Sequence, residues 1–477
     1  MENKKSDPGE GKFPSGIPFI IGNEAAERFN FYGLKAILTT FLITQFFNPS
    51  NNPALQQMAE AQANEKTHLF NTLSYFLPIA GGLLADWFLG KYRTILWLSL
   101  IYCLGNAMLA GFVTNLQGFM TGLLLIACGA GGIKPCVSAN VGDQFTESNK
   151  HLLTKAFSLF YFSINFGSFF STLLIPLVQL HYGARVAFGI PGVLMLLATI
   201  IFYSGRKKYI RVPPSGPKKE NFVAINIYAL THTSAKEKNK PLLDVALKKY
   251  PKPSVDAVKA VWRILAIFAF IPVFWALYDQ NSSEWVLQAT KLDLHIFGIT
   301  LLAQQVQAVN PILILAFVPL FSFVLYPRLE KAGIAVTPLR KIAAGLILTA
   351  LSFIIIFFLQ VSIDHGGMPG VGWQILAYII LTAAEILISI TGLEYAYTQA
   401  PASMKSTLTA FWLLTVSLGN LFVTMINSSI SHQGFFSKLE GANYYLFFIG
   451  VITLFTIAFI FLSRRMKERQ RAVGNRQ

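Results

Sequence analysis

The sequence predicts an all-α polytopic membrane protein with about twelve transmembrane helices in two six-helix halves. Three observations carry that prediction. The 477 residues are 53% hydrophobic and only 13% charged, with a mean hydropathy of +0.51, values that exclude an ordinary soluble enzyme. Apolar segments of spanning length recur at roughly 17–47, 68–89, 94–113, 118–140, 156–179, 185–205, 261–287, 306–327, 342–361, 373–398, 407–430 and 444–463. A polar stretch, 206–260, separates the first six from the last six.

Residues 1–16 are polar and read as a cytoplasmic N-terminal segment without a cleavable leader. The first span then does something costly. Glu24, Glu27, Arg28 and Lys35 sit inside an otherwise apolar run, although a charge at the centre of a membrane helix is disfavoured by about 2.5–3.5 kcal/mol even on the mildest scale. At 100° per residue, Glu24, Glu27, Arg28, Phe31, Tyr32 and Lys35 fall within an arc of about 140°, so the charges share one face. Glu24 to Lys35 covers about 16 Å of helix, half the hydrocarbon thickness, which is too deep for snorkelling at one surface. The face is expected to line a bundle interior or a watery cavity.

Charge in the loops sets the orientation. Lys91, Arg93, Lys150, Lys155, Arg206 to Lys208, Arg328, Lys331, Lys405 and Arg464 to Arg471 all fall on the side shared by the two termini. The opposite loops hold little beyond Lys66, Arg185, Lys291 and Lys438, so the termini are expected in the cytoplasm, with residues 464–477 as a cytoplasmic tail. The same asymmetry accounts for the net charge of +16 through membrane topology and anionic headgroups, without nucleic acid. Cys103, Cys128 and Cys136 lie in predicted spans with neither metal-ligand nor disulfide spacing and read as buried free thiols.

The middle of the chain is a basic cytoplasmic linker, 206–260, between an N-terminal bundle at 17–205 and a C-terminal bundle at 261–463. Between Arg206 and Lys259 it carries thirteen Lys or Arg against four acids, a net +9. Its Pro213-Pro214-Ser215-Gly216-Pro217 start disfavours a helix, and Leu242 to Tyr250 is expected to form a short amphipathic one on the membrane. Six spans, a linker and six spans resemble the major facilitator architecture, in which each half is a pair of three-helix repeats around a midplane site. The Gly82 to Arg93 stretch resembles that superfamily's loop motif between spans two and three, with Asp86 set to meet a neighbouring helix end or basic residue.

Gly- or Pro-interrupted spans at matching positions of the two halves point to the binding site in such folds. Here they are span four, Gly129-Ala130-Gly131-Gly132-Ile133-Lys134-Pro135, and span ten, Thr391 to Pro401. One carries a cation and the other the anion Glu394, a combination that suits a zwitterion. On an ideal helix Glu385 points about 180° away from Glu394, so only Glu394 is assigned to a cavity.

These residues resemble the proton-coupled oligopeptide transporter family over nearly the whole transmembrane part of the chain. Its first-helix pattern E-x-x-E-R-F appears as Glu24 to Phe29, and its span-five pattern F-Y-x-x-I-N-x-G-S as Phe160 to Ser168. Gly131 to Gln144, Phe274 to Leu277, Leu287 to Thr290 and Thr391 to Asn420 are similar to animal peptide transporters. The resemblance implies a non-enzymatic symporter that imports di- and tripeptides with protons, needs no cofactor, works as a monomer and sits in the plasma (inner) membrane. It assigns Lys134 and Lys35 to the peptide carboxylate, Asn165, Asn310 and Glu394 to its amino end, and Tyr32, Tyr75, Trp275 and Trp412 to side-chain pockets. Glu24, Glu27 and Arg28 become the proton-coupling cluster, with Glu27 able to exchange a salt bridge with Lys134. His68 matches a histidine of animal members, either a proton sensor or a structural side chain bonded to one neighbour.

The chemistry of the residues agrees. Two glutamates three residues apart disfavour simultaneous ionisation in a poorly hydrated site, so one of them can carry a proton. Asparagines offer donors and acceptors to peptide groups, or to a neighbouring helix. Four departures from the family pattern stand out: Phe31 for tyrosine, Lys35 for arginine, Gln280 for a glutamate that bonds the span-four lysine in several bacterial members, and Glu284 with Ser322 for an arginine and aspartate pair. The rival readings are a carrier of another anion or zwitterion and a peptide receptor that does not transport. An ATP-driven pump is disfavoured because no G-x-x-x-x-G-K-S/T sequence occurs.

Overall fold

The computed structural model describes residues 13–48, 53–216, 220–236, 240–399, 401 and 404–474. Among them, nine helices are long and apolar enough to cross a membrane, or ten when Lys252–Phe268 and Ile271–Ala289, bent by 43°, count as one span. Two features complicate a count made by length and composition. The helix α1, Ile17–Gln45, is long enough but carries the charged face. The run α5, Leu153–Ser204, turns at Gly183, whose φ of +80° only glycine adopts at little cost, and so contains two helices. The protein is an all-α, multi-pass membrane protein.

The chain divides into two compact units, Met1–Gly216 with Ser282–Leu315, and Pro217–Asn281 with Ala316–Gln477. In the first, α1 packs on α5, and α4 (Leu116–Asp143) packs on α2 (Pro53–Leu84) and α3 (Lys91–Gly111). Lipid supplies no hydrophobic drive between helices, so contact depends on close backbone approach through small residues. Gly105 and Gly122 do this for α3 and α4: a Cβ on either would come within 2.9 Å of the other's carbonyl oxygen. Gly131 brings α4 against Leu77 of α2 in the same way, a Cβ there meeting Leu77 at 2.8 Å. The glycines of span four therefore pack helices, and α4 runs unbroken through Pro135.

The expected loop motif forms a π-helical turn, Ala85–Leu89, closed by Gly90 at φ +74°. Its partner is the start of the linker, since the Asp86 carbonyl accepts from the Ser215 and Gly216 amides at 2.8 and 3.2 Å. Lys91 pairs instead with Asp143 of α4 at 2.6 Å. Tyr209 donates to the Phe202 carbonyl at 2.8 Å, and Gln144 exchanges two hydrogen bonds with the Ile210 backbone. Residues 209–216 thus lie as a strap on the first unit.

The segment Ser282–Leu315 holds the helix α9 (Glu284–Ala289) and a two-stranded hairpin, β1 (His295–Ile296) with β2 (Ile299–Thr300), His295 facing Thr300. Side-chain amides fasten it to the bundle: Gln305 donates to the Leu173 carbonyl at 2.9 Å and Gln304 to the Thr40 hydroxyl at 3.2 Å.

In the second unit, α12 (Pro338–Asp364) packs on α13 (Gly372–Glu385) and α16 (Ala442–Gly474), and α15 (Lys405–Ser431) on α8 (Ile271–Tyr278). The linker helix forms earlier than the sequence predicts. Asn221 caps α6, Phe222–Thr231, by accepting from the Ala224 amide at 2.8 Å, while Leu242–Lys248 is a 3-10 stretch packed beside it. Burial of Ile225 and Ala229 with Val245 and Ala246 explains why the apolar residues at 242–248 face protein. Span ten is interrupted, not at its glycine, but by a π-helical turn at Ile386–Ile390 between α13 and α14 (Thr391–Gln399). That turn voids the ideal-helix phase used to compare Glu385 with Glu394.

Candidate functional site

The charged face of α1 forms a compact buried cluster. Arg28 Nε donates to Glu24 Oε1 at 2.7 Å and sits 3.1 Å from Glu27 Oε2. Glu24 is 2% exposed and Glu27 not at all. One guanidinium therefore serves two carboxylates, and it serves them unequally. Glu24 holds the directed, charge-assisted hydrogen bond, whereas neither Glu27 oxygen makes a hydrogen bond among the described residues. A single positive charge thus lies between two buried carboxylates, with Glu24 the more tightly held of the two.

Lys134 of α4 belongs to the same unit, and the salt bridge it is able to exchange with Glu27 is not formed among the described residues. Its ammonium is shielded from solvent and has no hydrogen-bond partner among the described residues. It lies 3.7 Å from the centroid of Phe31 and 4.4 Å from that of Tyr75. Such desolvated cation–π contacts are worth about 2 kcal/mol, less than a carboxylate partner supplies. The aromatic Phe31, noted in the sequence only for its lost hydroxyl, is thus a seat for this lysine. Lys35 is buried, 5.9 Å from the same ring, and Tyr32 packs edge-on against Phe31 at 5.7 Å. Asn165 of α5 is buried and donates to the Tyr161 carbonyl of its own helix at 3.0 Å. Asn310 lies at the start of α10, Val309–Leu320.

His68 of α2 is buried with Nε2 2.9 Å from the Ser283 hydroxyl. One turn earlier, Asn64 donates to the Glu284 carboxylate, and Glu60 pairs with Lys291 at 3.2 Å. Three successive turns of α2 therefore hold the 282–291 segment. Ser322 falls in the other unit, on the π-helical turn Phe321–Leu325.

In the second unit, Trp275 and Trp412 lie edge to face, centroids 6.2 Å apart, and the Trp275 indole N–H has no acceptor among the described residues. Gly392 makes room for them, since a Cβ there would meet the Trp412 ring. Gln280 is buried and donates to the Ala276 carbonyl at 2.9 Å. Glu394 is 55% exposed and pairs loosely with Lys341 at 3.8 Å. Sequence reasoning missed Lys341, which lies one residue before the predicted ninth span, whereas the helix itself starts at Pro338. It also missed Asp279, a buried carboxylate that accepts from Asn420 Nδ2 at 2.7 Å. The signal was there, because an acid beside Gln280 within a span is as costly as those of α1.

The chain is similar to known proteins over most of its length. The POT family profile covers residues 92–438. Solute carrier family 15 member 2 of Mus musculus is 38% identical over 409 residues, covering 81% of this chain and 55% of that protein. Peptide transporter family 1 of Drosophila melanogaster is 40% identical over 371 residues, covering 74% of this chain and 48% of that protein. The chain thus spans about half the length of these animal relatives. The crystal structure of the POT family transporter PepTSo superposes with a TM-score of 0.88 at 41% identity, covering 96% of this chain and 99% of that one. With most of its length matched by the family profile and nearly all of it by that structure, the chain belongs to the POT family.

Proposed function

We propose that this protein is a symporter that uses an inward proton gradient to import di- and tripeptides by alternating access, through twelve spans with both termini cytoplasmic. The observation that carries this reading is the pairing, within one unit, of two buried glutamates sharing one arginine with a buried ammonium that meets aromatic rings and no hydrogen-bond partner among the described residues. A carboxylate ligand gains more from Lys134 than the rings do, so the lysine is poised for an anion. A proton on Glu27 removes the competing negative charge nearest to it. Proton and carboxylate then arrive together more favourably than either alone, which is the thermodynamic content of symport.

On this reading Lys134 and Lys35 receive the peptide carboxylate, Glu394 the amino group, and Asn165 and Asn310 the peptide groups. Tyr32, Tyr75, Trp275, Gln280 and Trp412 contact side chains or backbone. Glu24, Glu27, Arg28 and His68 serve the proton. The names of the animal relatives, which are peptide transporters, support the substrate class. The protein acts as a monomer in the plasma or inner membrane, and no cofactor enters. Uptake of labelled dialanine and trialanine by proteoliposomes, with and without an imposed pH gradient, tests it. Concentrative uptake under an inward gradient supports the reading, and saturable binding without uptake contradicts it in favour of a receptor.

A further inference from the structure

A second polar feature of the first unit lies beside the glutamate cluster and is not used by it. On α1, Asn23, Glu27 and Asn30 fall within about 60° on a helical wheel, and on α3 Ser99, Tyr102 and Asn106 do the same. All six are buried. Both stripes span seven residues, about 10 Å of helix. Their faces meet at one end, where Asn30 Nδ2 donates to Asn106 Oδ1 at 3.0 Å. Successive spans reverse direction, so α1 and α3 run the same way, and counting back one and two turns from the Asn30–Asn106 pair reaches Glu27 with Tyr102 and Asn23 with Ser99. The Tyr102 hydroxyl lies near enough to Glu27 to feel its charge.

Only the Asn30–Asn106 rung is closed by a direct hydrogen bond. Both amide atoms of Asn23, both oxygens of Glu27, Asn30 Oδ1, Ser99 Oγ and the Tyr102 hydroxyl make none among the described residues. A helix-pairing seam would close its rungs directly, as the first one does. Buried polar groups left open in this number, on two helix faces that meet at Asn30 and Asn106, match the requirement of buried water, which takes two to four polar partners per molecule.

We propose that this seam holds a file of ordered water leading from Glu27 toward the end of the unit that carries Ile17 and Lys91, and that the file is the exit for a proton carried on Glu27. The inference rests on the proton-coupled reading for its second half only. As the proton leaves, the Glu27 O–H bond breaks and a neighbouring water takes the proton. That water releases a different proton to the next, and the exchange repeats along the file. The carboxylate left on Glu27 is balanced by the Arg28 guanidinium beside it. Asn23, Ser99 and Tyr102 position the waters and do not themselves change protonation. The other titratable groups near Glu27 are Glu24 and Arg28 on α1, Tyr102 on α3, and Lys134 on α4.

Radiolytic hydroxyl-radical labelling of the full-length protein in proteoliposomes tests the water file, because a buried tyrosine is oxidised only where water touches it. Tyr378 is the dry control, equally buried but bonded to the Asn281 carbonyl at 2.6 Å. Tyr102 is expected to label several times faster than Tyr378, and more slowly in Asn23→Leu. Equal slow labelling of the two tyrosines overturns the proposal whether or not the protein transports. The proton role is read as the ratio of gradient-driven dialanine uptake to dialanine counterflow. That ratio is expected to fall at least about tenfold in Asn23→Leu and in the milder Ser99→Ala, with counterflow retained. An unchanged ratio in both overturns the proton exit. If the native protein shows no counterflow, the transport reading and the exit fall together, and the labelling alone decides the water.

Discussion

The unequal sharing of Arg28 predicts that the two neighbouring glutamates fail differently when made neutral. Glu24→Gln removes the 2.7 Å charge-assisted hydrogen bond on a guanidinium whose side chain is only 11% exposed. Such bonds contribute about 1.5–3 kcal/mol, and Glu27 at 3.1 Å recovers part of that as a plain ion pair. A net loss of about 1–2 kcal/mol follows for Glu24→Gln, with the remaining carboxylate drawn onto Arg28. Glu27→Gln leaves the Arg28–Glu24 bond in place, so it should cost little stability while deleting the group that carries the proton. The assay pairs thermal unfolding in detergent with two transport modes in proteoliposomes. Glu24→Gln should melt below the native protein and lose gradient-driven uptake. Glu27→Gln should melt near it, keep peptide counterflow and lose only uphill uptake. Equal melting of both variants with the native protein, or full concentrative uptake by Glu27→Gln, would refute this division of roles.

Three further outcomes follow. Gly392→Ala pushes a Cβ into the Trp412 ring and is expected to destabilise the protein by about 1–3 kcal/mol, with Trp412→Leu in the same chain restoring much of the melting temperature. Acetylating the peptide amino group should weaken competition only about fivefold, since Glu394 is half exposed and its ion pair is worth about 1 kcal/mol; Lys341→Gln should tighten free peptides by a similar factor, measured as inhibition of labelled dialanine uptake. His68→Gln should shift the pH dependence of uptake and leave the ranking of a peptide panel unchanged, and Ser283→Ala should shift it in the same direction through the lost 2.9 Å contact.

The fold class was legible because membrane spans announce themselves one at a time by length and apolarity, and the α1 site because four charges in a span have no inexpensive explanation but a shared face. What was not legible depends on neighbours. No pattern within 129–135 tells packing glycines from an interruption; only Leu77 across the helix interface does. The π-helical turn at Ile386–Ile390 inserts itself into an unremarkable Ile-Leu-Ile-Ser-Ile run, so helical phase computed through it was bound to err. Likewise Leu242–Lys248 has the apolar spacing of a membrane-surface helix, yet Val245 and Ala246 are buried in the contact with α6. The aromatic seat of Lys134 has an electrostatic reason. Charge alone pairs it with Glu27, but Arg28 is adjacent in the chain and takes both glutamates, leaving the lysine to Phe31 and Tyr75.

The central claim is that peptide and proton move together in the same cycle. Its most direct measurement is lumenal pH, followed with a trapped indicator in proteoliposomes containing this protein when dialanine is added outside at lower pH. Peptide-dependent acidification, absent in Glu27→Gln and in protein-free vesicles, is the predicted result. Entry of labelled dialanine at its native rate with no peptide-dependent change in lumenal pH would contradict the account.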